Sequence, residues 1–198
     1  MKKSVLISII AVSIIAVLII VGVVVLYATG MFGNKEEKTE NTTQNSTTES
    51  RLGTIEKAED LSKLVDKLYE NEQNLLPSLQ TQEVDISDDE TVKFITGLDN
   101  GKDLEYVVVS EPMMSSQAYS LILVKVKDGV NANDIAKLMH EKVDARKWIC
   151  VTAEKVYATS SSDIVMVIMS SEEMAKPIYE KFKTLAGTVA QEYERAGE

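Results

Sequence analysis

An uninterrupted apolar segment near the start of the chain is the feature that most constrains its architecture. No charged residue occurs between residues 4 and 34, and the 23 residues from Val5 to Tyr27 are almost all aliphatic. As a helix, this run would extend about 35 Å, enough to cross the roughly 30 Å hydrocarbon core of a bilayer. A helix that is apolar on every face is a poor fit to the surface of a globular domain. We therefore predict a transmembrane signal anchor over residues 4–30, in contact with the lipid bilayer.

The flanks of this segment indicate its orientation. A cleavable signal peptide has a shorter apolar stretch, about 7–15 residues, before a small-x-small cleavage site, and Ala28 and Gly30 form a poor site of that kind. Two lysines lie on each flank, but a long domain translocates largely regardless of such charges. We predict a cytoplasmic tail at residues 1–3 and a single-pass protein of the cell membrane, with its domain outside the cytoplasm.

Composition divides the rest of the chain into a spacer and a domain. From residue 34 to residue 53 the sequence is rich in Thr, Asn, Glu and Ser, and its one apolar side chain is Leu52. Such a sequence buries too little surface to offset chain entropy, so we predict a disordered polar stalk over residues 31–53. An acidic extracytoplasmic domain is expected at residues 54–198.

The charge distribution excludes one class of partner. The net charge is −10, and residues 1–50 contain four Lys and four Glu, so the whole excess falls on residues 51–198. An acidic domain repels phosphate backbones and anionic lipid head groups. We therefore expect no nucleic-acid partner.

Hydrophobic periodicity predicts an α+β domain. Helical spacing indicates a helix at 58–73 and others after Ser87, Asn131 and Ser170, with capping boxes at Ser87 and Ser170. Strand-like runs occupy residues 104–110, 118–127, 154–160 and 163–170, and the last run is apolar on both faces, as in a central strand. We predict a two-layer sandwich, in which helices cover one face of a mainly antiparallel four-stranded sheet.

The stretch DARKWIC, residues 144–150, contains the only tryptophan and the only cysteine of the chain. We predict that helix 131–148 ends here. Its Arg-Lys pair would then complement the dipole of the last helical turn, while Trp148 and Ile149 would anchor that end in the core.

Cys150 has two interpretations. The first is a small buried hydrophobic side chain, and the second is a thiolate nucleophile activated by the neighbouring cations. The only histidine, His140, lies ten residues upstream, about 15 Å along a helix, which is too far for a hydrogen-bonded dyad. A single cysteine also rules out an internal disulfide, so the buried interpretation is favoured.

The remaining motifs point to no catalytic, cofactor-binding or metal-binding residue. The sequence has no Gly-x-Ser-x-Gly elbow and no glycine-rich phosphate loop. Acidic clusters at 85–90 and 99–105 lack the twelve-residue loop, with its glycine and final glutamate, that calcium requires. We interpret both clusters as capping and solvated residues.

The connection between the first two strand-like runs contains Pro112, Met113 and Met114. Adjacent methionines fill gaps in a core or, where they are exposed, form an adaptable contact surface. We predict a possible interaction surface at these three residues.

Three short motifs lie within the segment 94–129. They are Gly97, Leu98 and Asp99 at the end of a short helix, Pro112, Met113 and Met114 at the end of a strand, and Lys127, Asp128 and Gly129 at the end of the next strand. With these motifs the segment resembles a family of uncharacterised domains on membrane-anchored proteins and lipoproteins of Gram-positive bacteria. The likeness covers residues 55–190 and implies an extracytoplasmic location, with no known activity and no catalytic residue. This chain departs from the family in lacking a lipid-modified cysteine and in its Trp148–Cys150 segment.

These features together predict a membrane-anchored extracytoplasmic module that binds a protein or a cell-wall component and is not an enzyme. The alternative is a membrane-proximal hydrolase whose active site the sequence does not reveal. No cofactor is expected.

Overall fold

A computed structural model describes residues 52–114 and 116–197 of the chain. The predicted cytoplasmic tail, transmembrane anchor and nearly all of the stalk lie outside these residues. Within the described part, no helix has both the length and the apolar character needed to span a bilayer. Leu52, predicted at the end of the stalk, is buried in the core, so the folded domain already includes this residue.

Four helices and six strands make up the described domain. The helices are α1 (Ala58–Tyr69), α2 (Asp89–Thr96), α3 (Ala132–Lys142) and α4 (Glu172–Ala186). The strands are β1 (Leu79–Glu83), β2 (Leu104–Pro112), β3 (Ser120–Val126), β4 (Lys155–Ser161), β5 (Ile164–Ser170) and β6 (Tyr193–Ala196). The strands form one sheet in the order β1-β2-β3-β5-β4-β6, and every neighbouring pair is antiparallel.

The predicted α+β class and antiparallel sheet are confirmed, but the two-layer, four-stranded arrangement is wrong. Along β3, Ile122 and Val124 enter one hydrophobic core, while Leu121 and Leu123 enter a second core on the opposite face. Helices α2 and α3 cover the first face, and α1 and α4 cover the second. The domain therefore has three layers, because inner strands that are apolar on both sides cannot leave either face in water.

The two additional strands lie at the edges of the sheet. β1 pairs only with β2, and β6 pairs only with β4. Both alternate between partly buried and exposed residues, whereas every residue of the central strand β5 is buried. Their polar sequences, LQTQE and YERA, reflect this half-solvated position.

Two helix N-termini begin one residue later than the predicted capping boxes. Asp88, not Ser87, caps α2 by accepting hydrogen bonds from two backbone N–H groups of its first turn. Ser171, not Ser170, caps α4. Ser170 ends β5 instead, and its hydroxyl donates to the carbonyl of Ala118 at 2.8 Å.

Candidate interaction surface

Helix α3 ends at Lys142, six residues earlier than predicted, so DARKWIC forms a loop after the helix. A residue distant in sequence explains the early end. Arg195 on β6 donates from Nε to the carbonyl of His140 and from Nη2 to the carbonyl of Val143, both at 2.7 Å. Arg195 and Lys142, rather than the predicted Arg-Lys pair, therefore place positive charge at the C-terminus of this helix.

Lys147 makes the main polar contacts between this loop and the sheet. Only 2% of its side chain is exposed, and its Nζ lies 2.5 Å from Oε1 of Glu111 at the end of β2. It also donates to Oγ of Ser120 at 3.3 Å. Burial lowers the pKa of Lys147, while the Glu111 carboxylate acts in the opposite direction by favouring the charged amine.

Two aromatic rings enclose the same ammonium group. Lys147 Nζ lies 5.4 Å from the ring centroid of Phe94 on α2 and 5.6 Å from that of Trp148. Both distances suit cation–π attraction. Trp148 is buried in the core, as the sequence predicts, but Phe94 is 57% exposed.

The residues that flank this cluster are apolar and exposed. Met113 is 76% exposed, Met114 is 73% exposed and Ile149 is 71% exposed. Cys150 is exposed as well. The predicted burial of Ile149 and Cys150 is therefore wrong, because the helix that was expected to carry them to the core ends six residues earlier, at Lys142.

Each of these exposed side chains is connected to the Lys147–Glu111 pair. Met113 follows Glu111 by two residues, so their Cα atoms lie within about 7 Å of each other. Ile149 directly follows Trp148, and the rings of Trp148 and Phe94 both contact the Lys147 ammonium. We call this group the Trp148 surface, and its members are Phe94, Met113, Met114, Trp148 and Ile149.

An interaction surface at Pro112, Met113 and Met114 stays a prediction. The structure shows both methionines exposed, while Pro112 is partly buried and pairs with Leu79 at the end of β2. The sequence does not connect these residues with Phe94. No local signal connects these positions, because they meet only through the tertiary position of Lys147.

The acidic clusters have structural partners. Asp85 accepts hydrogen bonds from the backbone N–H and hydroxyl of Ser87. Asp99 forms ion pairs with Lys93 at 3.1 Å and Lys142 at 3.2 Å. Among the described residues, no group of three His, Cys, Asp or Glu side chains is arranged to hold a metal ion.

His140 faces the C-terminal strand. Its ring lies 5.6 Å from that of Tyr193, and its Nε2 is buried without a hydrogen-bond partner in the described part of the chain. Burial, and then the nearby Arg195 guanidinium, lower the pKa of His140, while Glu141 opposes the shift. The folded domain therefore disfavours a protonated His140.

This arrangement predicts a loss of stability in mild acid. An unfolded histidine has a pKa of about 6.5, so the unfolded chain takes up the proton first as the pH falls. Neutral His140 therefore makes its full contribution to the free energy of unfolding above about pH 6.5. This contribution decreases as the pH falls toward the lower pKa of the folded state. Urea unfolding at pH 7.5 and pH 5.5 should show a smaller pH effect in His140→Gln than in the native chain. Equal losses in the two proteins would contradict the assignment.

Comparisons with protein-family models, with curated proteins and with solved structures give no significant match to this chain. The resemblance to the Gram-positive family therefore stays a prediction, and function has to be inferred from the geometry of the domain.

Proposed function

We propose that this chain is a membrane-anchored extracytoplasmic module that binds a partner protein through the Trp148 surface. The observation that supports the proposal is the exposure of Phe94, Met113, Met114 and Ile149 around one buried ion pair. Aromatic residues and methionine are enriched at protein interfaces. Exposed apolar side chains that lie close together on a domain mark interaction sites.

The buried pair gives this surface a fixed base. Lys147 forms an ion pair with Glu111 at the end of β2, donates to Ser120 at the start of β3 and contacts the ring of Phe94. The loop that carries Trp148 is thereby tied to the sheet and to α2. Pre-ordered anchors lose less conformational entropy when a partner binds.

Charge indicates the chemistry of the partner. Residues 51–198 carry the whole net charge of −10, so this domain attracts a basic surface and repels an acidic one. We infer a partner protein with an apolar contact surface and a net positive charge. The same repulsion disfavours a second copy of this chain and an anionic bilayer as occupants of the surface.

The alternative, a membrane-proximal hydrolase, has weaker support. The contact between Lys147 and Ser120 brings a serine hydroxyl to an amine. Ser120 is fully buried, however, and Lys147 donates to it while ion-paired to Glu111. A nucleophilic hydroxyl must be reached by its substrate, and the buried Ser120 hydroxyl is not accessible.

The native cysteine allows a direct test. Cys150 is exposed beside Ile149, so a thiol-reactive benzophenone attached to it reports on the Trp148 surface without any substitution. In the full-length chain in its membrane, we expect one discrete cross-linked adduct with a basic protein. The double variant Met113→Ser/Ile149→Ser should abolish the adduct at unchanged stability, because exposed substitutions usually change stability by less than about 0.5 kcal/mol.

The control moves the cross-linker to another exposed position. Leu75 lies between α1 and β1 and is also exposed, so Leu75→Cys in a Cys150→Ser background should not form the adduct. Cross-linking to lipid or to a second copy of the chain would contradict the proposal. So would an adduct that survives the double variant.

A further inference from the structure

A cleft on the face of the sheet opposite the Trp148 surface is independent of the proposed function. It lies between α4 and β6 and has a volume of about 240 Å³. Tyr157 from β4 and Tyr179 from α4 line it, and their rings stack with centroids 5.1 Å apart. Glu192 and Glu194 line its β6 side.

The hydroxyl of Tyr157 lacks a hydrogen-bond partner. Tyr157 is 4% exposed, and its oxygen is buried without any partner among residues 52–114 and 116–197. Burial, with Glu194 next, raises the pKa of this phenol, so it stays neutral and retains lone pairs that can accept a hydrogen bond. A buried polar group without a partner destabilises a fold, and a ligand that bonds to it would remove that cost.

The other lining groups favour a cation. Glu180, Glu192 and Glu194 line the cleft against a single lysine, Lys176. That lysine is already paired with Glu172 at 3.1 Å. Lys155 pairs with Glu194 at 2.5 Å, and Lys183 pairs with both Glu180 and Glu192. With Glu172 included, four carboxylates therefore meet three lysines at the cleft, which leaves an excess of one negative charge.

The ammonium group of Lys183 lies at the rim of the cleft and makes the kinds of contact expected of a bound ligand. Lys183 Nζ lies 5.1 Å from the centroid of the Tyr179 ring. It also lies 2.8 Å from a carboxylate oxygen of Glu180 and 2.8 Å from one of Glu192. The rim of the cleft thus binds an alkylammonium through an aromatic face and two carboxylates.

We propose that the cleft binds a primary ammonium group carried on a short alkyl chain, as in an alkyldiamine or a lysine-like side chain. Its N–H groups donate to the Tyr157 hydroxyl and to the carboxylates of Glu192 and Glu194. A quaternary ammonium cannot make these hydrogen bonds. It also finds Tyr179 stacked on Tyr157 and already in contact with the Lys183 ammonium.

Binding to the full-length chain can be measured with 1,5-diaminopentane as the probe and tetramethylammonium as the comparison, at constant ionic strength. We expect a saturable rise of the unfolding temperature with the diamine and none with tetramethylammonium. Tyr157→Phe keeps the ring stack and removes only the hydroxyl, so it should weaken diamine binding at least about tenfold without loss of stability.

A matched charge change serves as the control. Glu194→Gln should weaken diamine binding, whereas Asp128→Asn, an exposed position in the β3–α3 turn, should leave it unchanged. The proposal is overturned if tetramethylammonium binds as well as the diamine, if Tyr157→Phe binds as tightly as the native chain, or if neither cation shows saturation.

Discussion

Gly97→Ala is expected to destabilise the domain by about 4 kcal/mol, as the sum of two costs. Gly97 follows α2 with φ +75°, a left-handed conformation that costs a residue with a Cβ roughly 1–2 kcal/mol. The added Cβ would also lie 2.6 Å from the carbonyl carbon of Lys142 and 2.7 Å from the nitrogen of Val143. Overpacking of this kind costs about 1–3 kcal/mol, and here the crowded atoms are backbone at the end of α3.

Gly129→Ala separates these two costs. Gly129 also has a positive φ, +81°, but a Cβ there would meet nothing within 4 Å. It should therefore lose only about 1–2 kcal/mol. Urea unfolding of both variants measures the difference, and the fluorescence of Trp148 should change only in Gly97→Ala, because Val143 begins the loop that carries this residue. Equal losses of stability in the two variants would show that α2 and α3 move apart to accommodate the added Cβ without an energetic cost.

The central part of the fold can be predicted from the sequence because its signal is local. The two-sided apolar pattern of β5 predicts a buried central strand, and β5 lies between β3 and β4. The same pattern in β2 and β3 implies helices on both faces, a step that the two-layer prediction did not take. β1 and β6 are missed because an edge strand needs few apolar residues, so its sequence resembles a loop.

The site is less predictable because its contacts are not local. Nothing in the sequence near Val143 indicates that α3 should end there. The end is fixed by Arg195, whose guanidinium reaches the Val143 carbonyl across 52 residues of chain. The sequence predicts a helix that is six residues too long. This error places Ile149 and Cys150, which follow the predicted helix, in the core. The pairing of Lys147 with Glu111 is likewise set by the packing of the loop against the sheet, which periodicity does not encode.

Glu111→Gln is expected to destabilise the domain by about 3 kcal/mol, because it leaves the Lys147 ammonium buried without a countercharge. Removing one partner of a buried ion pair typically costs about 3–5 kcal/mol. The lower end applies here because 22% of the Glu111 side chain is exposed. Replacing both partners, in Glu111→Gln/Lys147→Met, should return stability to within about 1 kcal/mol of the native chain.

The pH dependence of Glu111→Gln distinguishes an unpaired charge from lost packing. Burial already lowers the pKa of Lys147 in the native domain, and loss of the carboxylate lowers it further. The unfolded chain then binds more protons than the folded one between the lowered pKa and about 10.4, so stability rises with pH across that range. Urea unfolding between pH 7 and pH 10 should show the deficit of Glu111→Gln shrinking, with no such trend in the double variant. A deficit that is constant with pH would mean that Glu111 supports this surface by packing, and that the charge of Lys147 has no part in holding Phe94 and Trp148 in place.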